Sequence, residues 1–209
     1  IFDELLAGQG FLEEFGIAPK TTAVADGSKV IAALVGGADD ICMQIGFASV
    51  IPAIQAGAKL KIIAGAGMRP EIAFYSAKPE VQTLADLVGR SVAVGPLGAH
   101  LHMLMVTMMR KKGIDYSKVN FVNIGGSADA FRAAASGRVD AGPGELAFYG
   151  NPGIYGVHAL KDGATWIEIP EYLNQVSIAT DVAIDQRGEG IVRMLAAYRR
   201  FYQFLHSPK

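Results

Sequence analysis

Residues 120–147 read NFVNIGGSADAFRAAASGRVDAGPGELA, and one hundred residues earlier 20–47 read KTTAVADGSKVIAALVGGADDICMQIGF. Gly37 aligns with Gly137, Asp40 with Asp140 and Ala33 with Ala133. Both stretches follow one order: strand, glycine-containing loop, helix, Gly-x-x-Asp, strand. Just upstream, Gly16-Ile17 and Gly113-Ile114 each close a helix before the strand. Self-similarity at a fixed offset marks two copies of one supersecondary unit. Since the unit alternates strand with helix, the fold class is α/β.

The pattern extends outward from these two stretches. In the first half a helix is expected over Ile1–Phe15, a strand over Lys20–Ala25 and a helix from Asp26-Gly27-Ser28 to Val35. A strand at Asp40–Ile45, a helix at Phe47–Gln55 and a strand at Leu60–Ala64 follow, with Gly65-Ala66-Gly67 as loop and Ile72–Ser76 as strand. In the second half Ser91–Gly95 is a strand. Ala99–Lys112 is a helix, with Leu101, Leu104, Met105 and Met108 at helical spacing and Gly113 as its cap. Val119–Ile124 is strand, Ser127–Ser136 helix and Val139–Ala141 strand, while Gly142–Gly156 resists assignment. Trp166–Ile169 and Val176–Ile184 read as strands, and Gly190–His206 closes as an amphipathic helix.

Two such units joined by extended segments predict two lobes with a cleft between them. Lobe one takes residues 1–77 with 179–209, and lobe two takes 78–178. The helix over Ala99–Lys112 has a strand before it, whereas its counterpart begins at residue 1. The first strand of the fold is therefore expected ahead of Ile1, after a leader.

Composition narrows the function. The 209 residues are 51% hydrophobic and 19% charged, which excludes a disordered chain. A net charge of −1 supplies no basic field for nucleic acid or anionic lipid. Cys42 is the lone cysteine, so no internal disulfide or multi-cysteine metal site can form. No His-Glu-x-x-His or Cys-x-x-Cys is present, and no metal or other cofactor is expected. Gly65-Ala66-Gly67 fails as a dinucleotide fingerprint because Pro70 stands at the third small-residue position. No Gly-x-Ser-x-Gly nucleophile elbow occurs.

In open α/β sheets ligands sit beyond the carboxyl ends of the strands, against helix N-termini that favour anions. Six glycine-rich loops qualify: 25–28, 44–49, 65–69, 95–100, 125–127 and 144–149. They supply Ser28, Gln44, Phe47, Ala48, Ser49 and Arg69 from the first half. The second half supplies Leu97, Gly98, Ala99, His100, Gly126, Ser127, Glu145 and Tyr149. Each has a plain structural alternative: the serines as N-caps, Phe47 and Tyr149 as core aromatics, His100 and Arg69 as exposed loop residues, Glu145 as a rim ion pair. Asp40 and Asp140 fit a structural role at the Gly-x-x-Asp turn.

Several runs together resemble a known family. LADLVGRSVAVG at 84–95, GID at 113–115 with VNFV at 119–122, GSA at 126–128 with AAASGRVD at 133–140, and LAGQGFLEEFGI at 6–17 are similar to motifs of periplasmic solute-binding proteins of the nitrate/sulfonate/taurine and thiamine-precursor class. The resemblance covers most of residues 6–146. It implies a two-lobed type II periplasmic binding fold, each lobe a mainly parallel sheet flanked by helices. It also implies an extracytoplasmic receptor, monomeric and not an enzyme, that closes on a small organic anion such as a sulfonate or carboxylate. Its partner would be an ABC transporter permease in the membrane. The positions matching the family's ligand loops are Gln44, Phe47, Ala48 and Ser49, then Gly98, Ala99 and His100, and Gly126 and Ser127. Two rivals use the same scaffold: an enzyme with His100 and Glu145 as acid and base, and the sensing domain of a regulatory protein.

Overall fold

A computed structural model describes residues 6, 8–24, 26–67 and 69–206. The helices are α1 (Phe11–Glu14), α2 (Gly27–Val35), α3 (Phe47–Gln55), α4 (His100–Lys111), α5 (Ser127–Ala135), α6 (Thr165–Glu168) and α7 (Asp181–His206). The strands are β1 (Ile41–Gly46), β2 (Leu60–Gly67), β3 (Ile72–Ser76), β4 (Ser91–Val94), β5 (Asn120–Asn123), β6 (Gly142–Glu145), β7 (His158–Ala164) and β8 (Gln175–Thr180).

The strands fall into two groups. β8 lies between β1 and β2, antiparallel to both. β3 lies between β6 and β7, again antiparallel to both. β4 and β5 pair in parallel, and a parallel bridge from Val92 to Ala141 joins them to the strand edge at β6. Within each group every strand runs the same way except the one that has crossed over, β8 in the first and β3 in the second. The chain leaves the first group after Gly67, enters the second at Ile72 and returns at 172–174.

The repeat holds at atomic detail. Gly37 and Gly137 both take positive φ, +76° and +72°. The N–H of Ala38 donates to the Ala33 carbonyl at 2.9 Å, and that of Arg138 to the Ala133 carbonyl at 3.0 Å. Gly16 and Gly113 close their helices likewise, with Ile17 N–H to the Leu12 carbonyl at 2.8 Å and Ile114 N–H to the Met109 carbonyl at 2.9 Å. A left-handed residue is needed at each of these helix ends, and glycine takes it without a Cβ clash.

Leu104, Met105, Met108 and Met109 are completely buried against Phe74, Leu84 and Leu87 and centre the larger core. A smaller core of Leu34, Ile45, Val50, Leu60 and Ile178 fills the first group. α7 packs Met194, Tyr198 and Phe201 onto Leu6, Phe11 and Leu12.

Several expectations need correction. Lys20–Ala25 forms no strand; 18–24 is irregular, because no neighbouring strand offers it a hydrogen-bond ladder (Ala25 lies outside the described residues). The single helix over 1–15 is broken at Gly10, whose φ is +74°; Ile1–Leu5 and Ala7 lie outside the described residues. Gly65–Gly67 belongs to β2 rather than to a loop, since it pairs with Gln175 and Val176 across irregular register. Val139–Ala141 contributes one bridge, and the strand proper starts at Gly142. The strand expected at 166–169 is helix α6, and the strand that precedes it, β7, was missed. β8 stops at Thr180, where α7 starts, and α7 kinks at Arg187 just before Gly188 and Gly190.

Candidate functional site

α3 begins directly after β1, α4 after β4 and α5 after β5, each at the carboxyl end of its strand, as the short α6 does after β7 and α7 after β8. The N-cap residues of α3, α4 and α5 are Gly46, Ala99 and Gly126, and none caps its helix with a side chain. α2, by contrast, is capped by Asp26, whose Oδ1 accepts from Ser28 N–H at 2.8 Å and Lys29 N–H at 3.4 Å. The cap expected of Ser28 is thus supplied by Asp26, and Ser28 is exposed. Uncapped helix starts present N–H groups and a partial positive charge to whatever lies beyond them.

The starts of α3 and α4 touch. His100 N–H donates to Ser49 Oγ at 3.3 Å. A Cβ on Gly46 would fall 2.5 Å from His100 Cβ, so only glycine lets the two backbones approach this closely. Ser49 also lies against Gly27 at the start of α2, 3.3 Å from where a Cβ would stand. The element carrying Ser28 is thereby tied to the same junction.

The returning segment completes the junction. Phe47 N–H donates to the Asn174 carbonyl at 3.0 Å, and Asn174 Nδ2 donates to the Arg69 carbonyl at 3.1 Å. Tyr172 faces the His100 ring at 6.3 Å. Burial pushes the His100 imidazole down to about 4, so it is neutral at pH 7, with Asn174 beside it. His100 Nδ1 and Asn174 Oδ1 are buried and form no hydrogen bond of good geometry among the described residues. Buried polar atoms of this kind call for a partner. Tyr172 and Asn174 went unnoticed in the sequence; a polar residue beside a strand where the chain recrosses was the available signal.

A second cluster gathers around α5. Ser127 Oγ donates to Glu145 Oε1 at 2.9 Å. The Gly95 and Gly125 turns meet, a Cβ on Gly95 standing 3.2 Å from the Gly125 carbonyl. Gly98, with φ +81°, donates its N–H to His102 Nδ1 at 3.0 Å, which shapes the loop ahead of α4; Leu97 beside it is exposed. Tyr75 donates its hydroxyl to the Glu145 carbonyl at 3.0 Å, and its phenol is pushed up to about 12 by burial, then by Tyr149 and Glu145.

Other candidates have different partners. Gln44 Nε2 donates to the Tyr202 hydroxyl of α7 at 2.8 Å. Phe47 packs into the smaller core, Ala48 follows it half-buried, and Arg69 is exposed. Tyr149 meets Trp166 edge to face at 4.9 Å. Among the described residues no cluster of three or more His, Cys, Asp or Glu could hold a metal, and no helix is long and apolar enough to cross a membrane.

Comparison with known proteins agrees with this architecture. A family model described as NMT1/THI5 like matches residues 6–209. No curated protein matches the chain. The alkanesulfonate-binding protein SsuA from Xanthomonas axonopodis pv. citri, bound to MOPS, superposes with a TM-score of 0.76 at 21% identity, over 92% of this chain and 66% of that one. The periplasmic aliphatic sulphonate binding protein SsuA from Escherichia coli gives 0.70 at 22%, over 92% and 65%. A protein of Bordetella bronchiseptica RB50 gives 0.72 at 24%, over 92% and 63%. The chain thus spans slightly less than two thirds of the length of these structures, and shares with them the periplasmic binding fold.

Proposed function

We propose that this chain, which belongs to the NMT1/THI5-like family, is the solute receptor of an ABC importer outside the cytoplasm, holding a small organic anion between two lobes. The observation that carries the reading is the uncapped starts of α3, α4 and α5 at strand carboxyl ends, the first two in contact through Ser49 and His100. Helix dipoles and N–H groups bind an anion without a buried countercharge. That suits a junction whose histidine is neutral and whose cation, Arg69, is exposed.

The first group of strands with α7 forms one lobe and the second group the other. The segments at 69–71 and 172–174 act as the hinge. Ser49, Gly98–His100, Gly126, Ser127 and Glu145 contribute the contacts, with Tyr172 and Asn174 added from the crossing segment. The ligand bridges the lobes and so favours the closed arrangement over the open one. A sulfonate or carboxylate fits the donor set; the two SsuA structures are of an alkanesulfonate-binding and an aliphatic sulphonate binding protein. The receptor works as a monomer against a membrane permease.

Calorimetry with a panel of alkanesulfonates and small carboxylates tests the reading. Ala99→Asp is the decisive variant. Ala99 has extended backbone, φ −81° and ψ 178°, where an aspartate would cap α4 with its own carboxylate. Affinity should fall at least about tenfold while Tm holds or rises, because the new carboxylate takes the N–H groups the anion needs. Unchanged affinity in Ala99→Asp, or consumption of the bound compound in single-turnover mixing, overturns the proposal.

A further inference from the structure

The starts of α4 and α5 share a local device. In each, the residue ahead of the N-cap is a glycine with positive φ: Gly98 at +81° before Ala99, and Gly125 at +103° before Gly126. In each, a side chain holds that glycine's N–H. Asn123 Oδ1 accepts from Gly125 at 3.1 Å, and His102 Nδ1 accepts from Gly98 at 3.0 Å.

The geometry ahead of α4 explains why the second bond matters. Gly98 is the third residue of a turn closed by Ala99 N–H on the Pro96 carbonyl at 2.9 Å. Positive φ at that place is what a type II turn requires, and such a turn gives the glycine's own N–H no partner. His102 supplies one from the first turn of α4. Its ring is itself seated edge to face against Phe121 of β5, with 4.6 Å between centroids. One imidazole thus joins the turn, the helix start and β5.

The two clasps differ in chemistry. An amide oxygen accepts at every pH. An imidazole Nδ1 accepts only while it carries no proton, since both nitrogens of the imidazolium are donors. A proton arriving at Nδ1 sets one N–H against another and releases Gly98.

We infer that His102 is a positioning residue: it clasps the Gly98 turn that aims the start of α4, and it lets the turn go on protonation. The consequence for affinity rests on the receptor reading. If the α4 N–H groups hold the anion, binding weakens in acid, because only the neutral ring keeps them in place. The 95–99 loop, β5 and α3, which packs on the start of α4, carry no charged or titratable residue. On α4 itself the neighbouring titratable group is His100, neutral at pH 7, with Tyr172 facing it. Asp129 of α5 pairs with Arg132. Arg110 and Lys111 lie at the far end of α4, against Tyr116 and Glu168. Burial lowers the His102 imidazole from its ordinary value, and the bond accepted from Gly98 favours the same neutral form. The clasp therefore opens below the ordinary histidine value of about 6.5.

Two variants separate the acceptor from the proton. His102→Asn places an amide oxygen one bond from Cγ, where Nδ1 stands, and does not titrate; Asn123 already does this for Gly125. His102→Leu removes the acceptor. An NMR titration of the ligand-free protein reads the clasp. The Gly98 amide resonance should move with the His102 ring at one midpoint in the unmodified chain, and should stay in place in His102→Asn. Calorimetry with ethanesulfonate, which remains ionised throughout, reads the consequence. From pH 7.5 to 4.5 the unmodified chain should lose at least about threefold more affinity than His102→Asn does. His102→Leu should bind at pH 7.5 about as weakly as the unmodified chain does in acid. A Gly98 resonance indifferent to the His102 titration overturns the inference. The same affinity profile in the unmodified chain and His102→Asn, or tighter binding in acid, overturns it too. A Gly98 resonance that follows His102 while ethanesulfonate binds at no pH supports the clasp and counts against the receptor reading alone.

Discussion

Asp140 ties three parts of the chain together: its own turn, Lys78, and Arg90-Ser91 at the start of β4. Its carboxylate accepts from Ser91 twice, from Lys78 Nζ at 2.7 Å and from Arg90 at 3.5 Å. Burial alone would raise this carboxyl; the hydrogen bonds from Lys78 and Ser91 outweigh it and hold the group well below the ordinary carboxylate range. A depressed carboxylate stabilises the fold above its unfolded pKa of about 4 and loses that contribution as the pH falls through the folded value. Asp140→Asn should lower the unfolding free energy by about 2–3 kcal/mol at pH 7, with the deficit shrinking below pH 4. Urea midpoints across pH 2–7 check this. His100 acts in a different window. Its folded pKa of about 4 lies below the unfolded value, so the unfolded chain takes up the proton first. The contribution is intact above about pH 6.5 and fades as the pH drops towards 4, by about 3 kcal/mol at most. His100→Phe should flatten the stability profile in that interval and leave the region below pH 4 unchanged.

Glycines separate elements that end from elements that touch. Gly37→Ala and Gly137→Ala each force a side chain into positive φ at a helix end, and each should cost about 1 kcal/mol, read by thermal melts. Equal effects are expected because the two helix ends have the same hydrogen bonds. Gly142→Ala is a different case: its Cβ would lie 2.5 Å from the Ala130 carbonyl oxygen of α5, and backbone cannot step aside cheaply. A loss of about 3 kcal/mol or more is expected there. These glycines also mark how far the sequence could be read. Gly16, Gly37, Gly113 and Gly137 announced helix ends by local chemistry, so the repeat and its α/β order were visible. β7 was invisible because His158–Ala164 carries Lys161, Asp162 and Gly163 in place of an alternating apolar pattern, and is held as a strand by β3. Lys20–Val24 has strand composition and still forms none, since a strand needs a neighbour. The helix-start loops of the candidate site were legible from glycine spacing. Tyr172 and Asn174 were not, because they reach His100 only through the return crossing.

At the scale of the molecule, the receptor reading couples ligand and fold through the segments that cross between the two strand groups. A ligand that binds only the folded chain at one hundred times its Kd adds about 2.7 kcal/mol of stability. For a chain of this size that should raise Tm by about 5–10 °C in a scan against a saturating sulfonate. At the same ligand concentration the Ala99→Asp chain should show about half that rise or less. Topology has a further consequence for how the protein is made. β1 and β2 are separated by β8, a strand translated more than a hundred residues after both, whereas β3 to β7 form an unbroken run of sequence. On the ribosome, the middle of the polypeptide can therefore consolidate while both earlier strands still wait for the one that bridges them. The half synthesised first is the half that must be completed last.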